Sequence, residues 1–297
     1  MKRGHWQILL AAALFLLALG LTLYPVVSNW YIGRHQSRIQ TEYREVLEQT
    51  DSAEIESIRE SAVAYNKTIT PGAAEEAYSQ ASIRLAAEDY VNQLNVSGSG
   101  IMGYVEIPKI GVDLPIYHGT GADSLDRGTG HLLGSSLPVG GESTHTIITG
   151  HSGMASQKMF TDLEQLREGD IFYLHVLDET LAYEVREIHT VLPHDTTYLG
   201  IEPGEDLCPL VTCTPTGVNT HRLLVHGSRI PYVPTEETEA SAVPHEENTD
   251  SNWEKQYWLG VRLGLAAMAT VVLLLSVYLF FRKKKTVKKK GGRYVRK

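Results

Sequence analysis

Apolar and polar positions alternate with different periods in different parts of this chain. Ile8 to Val27 runs for about twenty residues without a charge, and Tyr257 to Phe281 is a second apolar run broken only by Arg262. Each is long enough for one helical crossing of a bilayer, and Arg262 lies near an end where its long side chain reaches headgroups. Between Trp30 and about Ala64 the period becomes helical: Ile39, Tyr43, Val46 and Leu47 recur on one side, as do Ile55 and Ile58, among many Glu, Gln and Arg. This predicts one or two helices in a solvated stalk. Pro71-Gly72 marks a turn, and Ala77, Ala81, Leu85, Tyr90, Val91 and Leu94 predict a further helix over 73–94 whose apolar face meets a folded domain.

After Val96-Ser97-Gly98-Ser99-Gly100, read as a short flexible linker, the pattern shifts to short β-rich runs bounded by Gly, Pro or Asp. They fall at 102–107, 112–117, 144–149, 171–176, 181–192, 207–213 and 221–226. Seven or eight strands at this density predict a closed barrel or sandwich rather than an α/β fold. One helical interruption is expected at 157–166, where Phe160, Leu163 and Leu166 share a side. From Val233 to Asn252 the chain is acidic, rich in Pro, Thr and Glu and poor in apolar residues, which predicts a disordered spacer.

Charge sharpens the layout. Lys2 and Arg3 precede the first apolar run, and the stretch after the second, RKKKTVKKKGGRYVRK, holds ten of the 27 Lys and Arg. Basic flanks place both ends in the cytoplasm and the region between them outside the cell. That outer region holds all 35 acidic residues against 14 basic ones, so the formal net charge of −8 conceals a strongly acidic exterior. An acidic face excludes nucleic acid as its partner, and a basic tail directly after a span suits anionic lipid headgroups. The first run is read as an uncleaved anchor because it continues past Ala18-Leu19-Gly20; a cleaved signal segment is the alternative.

Candidate chemistry lies between Leu210 and Gly227. An apolar strand delivers Cys213, a turn with Pro215 and Gly217 follows, and a second apolar strand opens with Arg222. A thiolate attacks a carbonyl, and a fixed cation stabilises the oxyanion that forms. The base is best supplied by His151, which follows the apolar run His145 to Thr149 after a glycine. His221 points away from the face of Arg222, and His145 sits at the far end of its strand. Cys208 and Cys213 are five residues apart in extended chain, about 16 Å, which is too far for a disulfide and leaves Cys213 a free thiol. The histidines and acids show no metal-ligand spacing, so no metal and no cofactor is expected.

The segments TGH (149–151), LVTC (210–213) and Arg222, with GYVEIPKI (103–110), LPIYHG (114–119), GHLLGSSLPVGGESTH (130–145) and TCTPTGVNTHRLLVHG (212–227), resemble the sortase family, most of all its pilin-polymerising class C branch. The resemblance implies a mainly β fold, a closed eight-stranded sortase-type barrel with short helices. It implies Cys213 as nucleophile, His151 as acid and base, and Arg222 as stabiliser of the oxyanion or substrate carbonyl. It also implies a substrate with an LPXTG-type sorting signal, a thioester acyl-enzyme, and resolution by a lysine amine of a second pilin subunit. Attachment of surface proteins to cell-wall precursor is the alternative within the family, and a catalytically silent surface scaffold the alternative outside it. Leu210, Thr212, Thr214 and Asn219 are expected along the substrate groove, and loops near 194–205 and 214–219 at the acceptor surface. Class C members carry an N-terminal lid with an Asp-Pro-aromatic motif. No Asp-Pro pair occurs here, so the loop Asn66, Pro71, Gly72 is the candidate remnant and an open thiol is expected.

The expected organisation is then an anchor or signal segment at 1–30, an extracellular helical region at 31–98 with the lid candidate at 66–72, a barrel at 99–232, an acidic spacer at 233–256, a transmembrane helix at 257–281 and a basic cytoplasmic tail at 282–297.

Overall fold

The computed structural model describes residues 3–70, 72–79, 88–154, 157–234, 257–273 and 276–277. They fall in two compact units, one from 1–29 with 254–297 and one from 30–253. Most of the acidic spacer, the basic tail, Pro71, Ala81 and Leu85 lie outside the described residues.

Nine strands close into one barrel: β1 Ile101–Ile107, β2 Val112–His118, β3 Thr129–His131, β4 Thr144–His145, β5 Ile148–Thr149, β6 Ile171–Val176, β7 Glu179–Val191, β8 Asp206–Thr214 and β9 His221–Ile230. Their order is β4-β8-β5-β3-β2-β1-β6-β7-β9, and a further pairing of β8 with β9 shuts the ring. β4 and β5 both run parallel to β8, at Asp206–Leu207 and Leu210–Val211, so they are two pieces of one interrupted strand. The barrel is therefore eight-stranded, as the family resemblance implies. Closure pairs both sides of β8 and of β9, which suits strands this short.

β3 is absent from the strands read in the sequence. It is three residues long with a glycine at its centre, and a Cβ at Gly130 would lie 2.2 Å from the carbonyl oxygen of Gly119. The helix expected at 157–166 reduces to a 3-10 turn at Leu163–Gln165. Phe160, Leu163 and Leu166 are nevertheless all buried, because bonds from Leu163 N to Phe160 O and from Leu166 N to Leu163 O join them at intervals of three.

Strand alternation sorts the side chains onto two faces. Inside lie Val105, Ile116, Ile148, Phe172, Leu174, Cys208, Leu210, Leu223 and Val225. On the outer face a second apolar cluster gathers Leu132, Ile147, Val191, Val211 and Leu224.

The helices are α1 Arg3–Gln49, α2 Ser52–Asn66, α3 Ala73–Ser79, α4 Glu88–Asn92 and α5 Ala122–Leu125. The solvated stalk is corrected: Tyr43, Ile55 and Ala62 are buried against the barrel. The Tyr43 hydroxyl donates to Met102 O and accepts from Leu177 N, both at 3.1 Å. Gln40 reaches Asp113 at 2.8 Å, Arg44 reaches Tyr104 at 2.9 Å, and Arg59 pairs with Asp178 and Glu179. α2 opens on Asp51, whose carboxylate accepts from Ala53 N as an N-cap. The linker at 96–100 is likewise pinned, since Gly100 N donates to Asn95 Oδ1 at 2.9 Å and Gly100 O accepts from His118 Nδ1 at 3.0 Å.

In the other unit the backbone of the first apolar run belongs to α1, and 257–273 is helical. Thr22 and Gly264 lie against each other there. Among the described residues no helix is long and apolar enough to cross a membrane.

Candidate active site

Antiparallel register sets Cys213 of β8 directly opposite Arg222 of β9, one row before the last pair, Thr214 and His221. In the same stripe Val211 faces Leu224, and Val191 of β7 stands beside Arg222. The two cysteines are an odd number of residues apart and so face opposite ways. Cys208 lies in the barrel interior, where burial pushes its thiol far up, whereas Cys213 is half-exposed on the outer face; both are free.

His151 arrives by the parallel pairing of β5 with β8. Gly150 N donates to Val211 O at 3.0 Å, the Thr212 hydroxyl donates to Gly150 O at 2.7 Å, and the Ser152 hydroxyl donates to Cys213 O at 2.5 Å. Residues 150–152 are thus fastened along 211–213, which carries the imidazole to the thiol's level. Gly150 is needed there, because a Cβ would lie 2.7 Å from the ring of Phe160, whose own N–H holds His151 O at 2.9 Å. On the outer side of the imidazole, Asp126 Oδ1 is 3.8 Å from His151 Nε2.

Cys213 and Arg222 therefore stand side by side on the barrel's outer face, with the segment that carries His151 fastened along 211–213 and the apolar Val211, Leu224 and Ile147 beside them. That set can attack a carbonyl, hold the resulting oxyanion and protonate a departing amine. Among the described residues no three or more His, Cys, Asp and Glu side chains are grouped to hold a metal ion.

The other residues expected at the groove divide. Leu210 is fully buried in the barrel core, and Thr212 spends its hydroxyl on Gly150, so neither lines the groove; its floor is formed by their outward neighbour Val211. Thr214 is buried and donates to Glu164 Oε1 at 2.6 Å. Asn219 is exposed at φ 62° in the β8–β9 turn.

The cover over the groove comes from an element the sequence reading did not single out for it. Asn66 is tied to the backbone of Leu137, by Leu137 N to Asn66 Oδ1 at 2.7 Å and Asn66 Nδ2 to Leu137 O at 3.2 Å, and Gly72 is an exposed left-handed turn residue. α3, which follows, lays Ala74 and Tyr78 on Leu132, Val211, Leu224 and Leu199. The Tyr78 hydroxyl is buried beside Arg222; burial pushes its pKa up, the Arg222 charge and hydrogen bonding to it pull it back, and Cys213 adds to the rise. The available signal was the Ala74 to Tyr78 spacing on one helical side.

A protein-family model described as the sortase domain matches residues 105–230. Sortase A of Streptococcus agalactiae is 25% identical over 221 residues, covering 73% of this chain and 82% of that protein. Among solved structures, sortase C of Streptococcus pneumoniae superposes with a TM-score of 0.60 at 45% identity, covering 67% of this chain and all of that one. Sortase C-1 of Actinomyces oris gives 0.57 at 44% identity, covering 61% and 99%.

Proposed function

The chain belongs to the sortase family and is a cysteine transpeptidase of the class C kind, and from that premise we propose that it joins pilin subunits at the outer face of a membrane. Cys213 attacks the Thr carbonyl of an LPXTG-type sorting signal, Arg222 holds the oxyanion, and collapse to the thioester releases an amine that takes its proton from His151. A lysine amine of a second subunit, deprotonated by His151, then attacks the thioester and returns the thiol. Arg222 stays charged throughout and so serves only as a donor. Water must be kept from the thioester while the amine arrives, and the half-enclosed groove over Val211 and Leu224 suits that requirement.

The observation that carries this reading is the Cys213–Arg222 row with residues 150–152 fastened beside it. Membrane attachment is part of the proposal. Leu16, Leu17, Tyr24 and Val27 of α1, and Leu259, Leu263 and Leu273 of the helix at 257–273, expose large apolar side chains, and lipid is the solvent such surfaces match. α3 is the segment that substrate must displace.

Incubating the full-length protein with a pilin carrying an LPXTG-type tail tests the reading. It should give an SDS-resistant ladder that disappears in Cys213→Ala. Attachment to a glycine or diamino-acid amine with no ladder would instead favour cell-wall anchoring, and free peptide acid despite abundant amine would favour a hydrolase.

A further inference from the structure

The reaction row is one end of a longer stripe on the barrel's outer face. Four residues along β9 from Arg222, about 13 Å at the usual strand rise, the same face carries His226. Around it gather His145 from β4, His189 from β7 and Tyr198 from the segment 192–205. His226 lies 5.9 Å from His145 and 5.7 Å from His189 between ring centroids, and His189 stacks on Tyr198 at 3.8 Å.

Hydrogen bonding leaves this cluster underserved. His226 is 2% exposed, and neither of its ring nitrogens has a partner. His145 donates from Nδ1 to Leu199 O at 2.9 Å, with the Gly200 backbone also in range, while its Nε2 is buried without a close partner. A neutral imidazole tolerates such a place at moderate cost, whereas an imidazolium buried without acceptors does not.

The segment 192–205 is what seals it. Leu199 is buried against Val211 and Leu224, its carbonyl holds His145, Tyr198 lies on His189, and Glu202 pairs with Arg186 at 2.8 Å. Glu75 of α3 reaches to Gly200, where an added Cβ would lie 3.1 Å from its carboxylate oxygen. One segment therefore closes the histidine cluster, walls the groove and touches the helix that covers it.

We propose that His145 and His226 form a proton-operated latch on segment 192–205, shut while both imidazoles are neutral and released when acid charges them. The charged groups facing the cluster are Glu187 and Arg186 from β7, Glu202 from the segment itself and Glu75 from α3. Glu187 also stands 3.0 Å from His189 Nε2. The carboxylates favour protonation of His145 and His226 and Arg186 opposes it, but burial outweighs them, pushing His145 down and His226 down to about 3.

The sign follows from that depression. A group whose pKa is lower in the shut state than in the open one stabilises the shut state above the open-state pKa, near 6.5, and that stabilisation is lost as pH falls through it. His226 alone raises the open-to-shut ratio about tenfold between pH 7.5 and 5.5, and His145 acts in the same direction. Release would free the wall over Val211 and the contact that steadies α3. That consequence for catalysis rests on the reading of the Cys213 row as the reaction centre, but the latch does not.

Amide hydrogen exchange on the full-length protein in detergent, corrected for intrinsic rates, tests the latch without any turnover. Protection of residues 196–202 should fall tenfold or more from pH 7.5 to 5.5, with the β6–β7 hairpin as an unchanged reference. His226→Leu and His145→Gln should each flatten that dependence. In case either variant fails to fold, the His226 ring signal in the wild type should titrate in step with the loss of protection. Protection that ignores pH, a dependence that survives both substitutions, or a His226 ring that stays neutral while 196–202 opens would each overturn the latch. A chain that fails to transpeptidate yet shows the exchange change would refute only the functional reading.

Discussion

Replacing Tyr78 by alanine tests whether α3 governs access to the thiol. Tyr78 is half-buried on Val211 and Leu224, with its hydroxyl beside Arg222. Truncating a fully buried aromatic costs about 3–5 kcal/mol, so a half-buried one held on a single face contributes roughly 2 kcal/mol to docking. At about 1.4 kcal/mol per decade, the undocked fraction of α3 should rise about thirtyfold. The assay is the rate of iodoacetamide modification of Cys213, followed by intact mass at fixed pH. Cys208 serves as an internal control because it is fully buried, and Cys213→Ala gives the background. Tyr78→Phe keeps the ring's packing and removes only the hydroxyl's contact with Arg222, so it should be modified far more slowly than the alanine variant. Equal rates in wild type and Tyr78→Ala, or a Tyr78→Phe as fast as the alanine variant, would show that packing of this ring does not control the site.

Two further outcomes are expected. Arg222→Lys should lose on the order of 100-fold or more in turnover while its denaturation midpoint stays unchanged, because one ammonium cannot reproduce the planar fork; near-normal turnover would remove Arg222 from its role. Tyr43→Phe should lower stability to denaturant by about 1–3 kcal/mol, because Leu177 N–H and Met102 O lose a buried partner on which α1 docks; an unchanged midpoint would mean the helix is held by apolar contact alone.

How far the sequence carries depends on whether a residue's partner is local. β8 and β9 are long, apolar and separated by a Pro/Gly turn, so their pairing, the opposite facing of Cys208 and Cys213, and the shared face of Arg222, Leu224 and His226 could all be read from alternation. The placing of residues 150–152 beside 211–213 could not, since it rests on a parallel pairing that no spacing encodes; the family's motifs pointed to it. β3 was illegible because three residues around a glycine carry no period. The docking of α1 and α2 was misread because abundant charge masked Ile39, Tyr43 and Ile55, whose partners lie 60 to 130 residues away in the barrel. The cover by α3 was missed for a related reason: a short helix announces an apolar side but not the surface that accepts it.

β5 and β8 run in the same direction and residues 150–152 continue alongside 211–213, so the proposed acid/base and the proposed nucleophile sit on the two lips of a single shelf. A slip of one position between these strands would turn one of the two side chains into the barrel and displace it by about 3.3 Å. The exposed turn that follows on the β8 side, 215–220, is free of that constraint. Insertions and exchanges there can therefore reshape the surface beside Cys213 while the register of the two strands is kept.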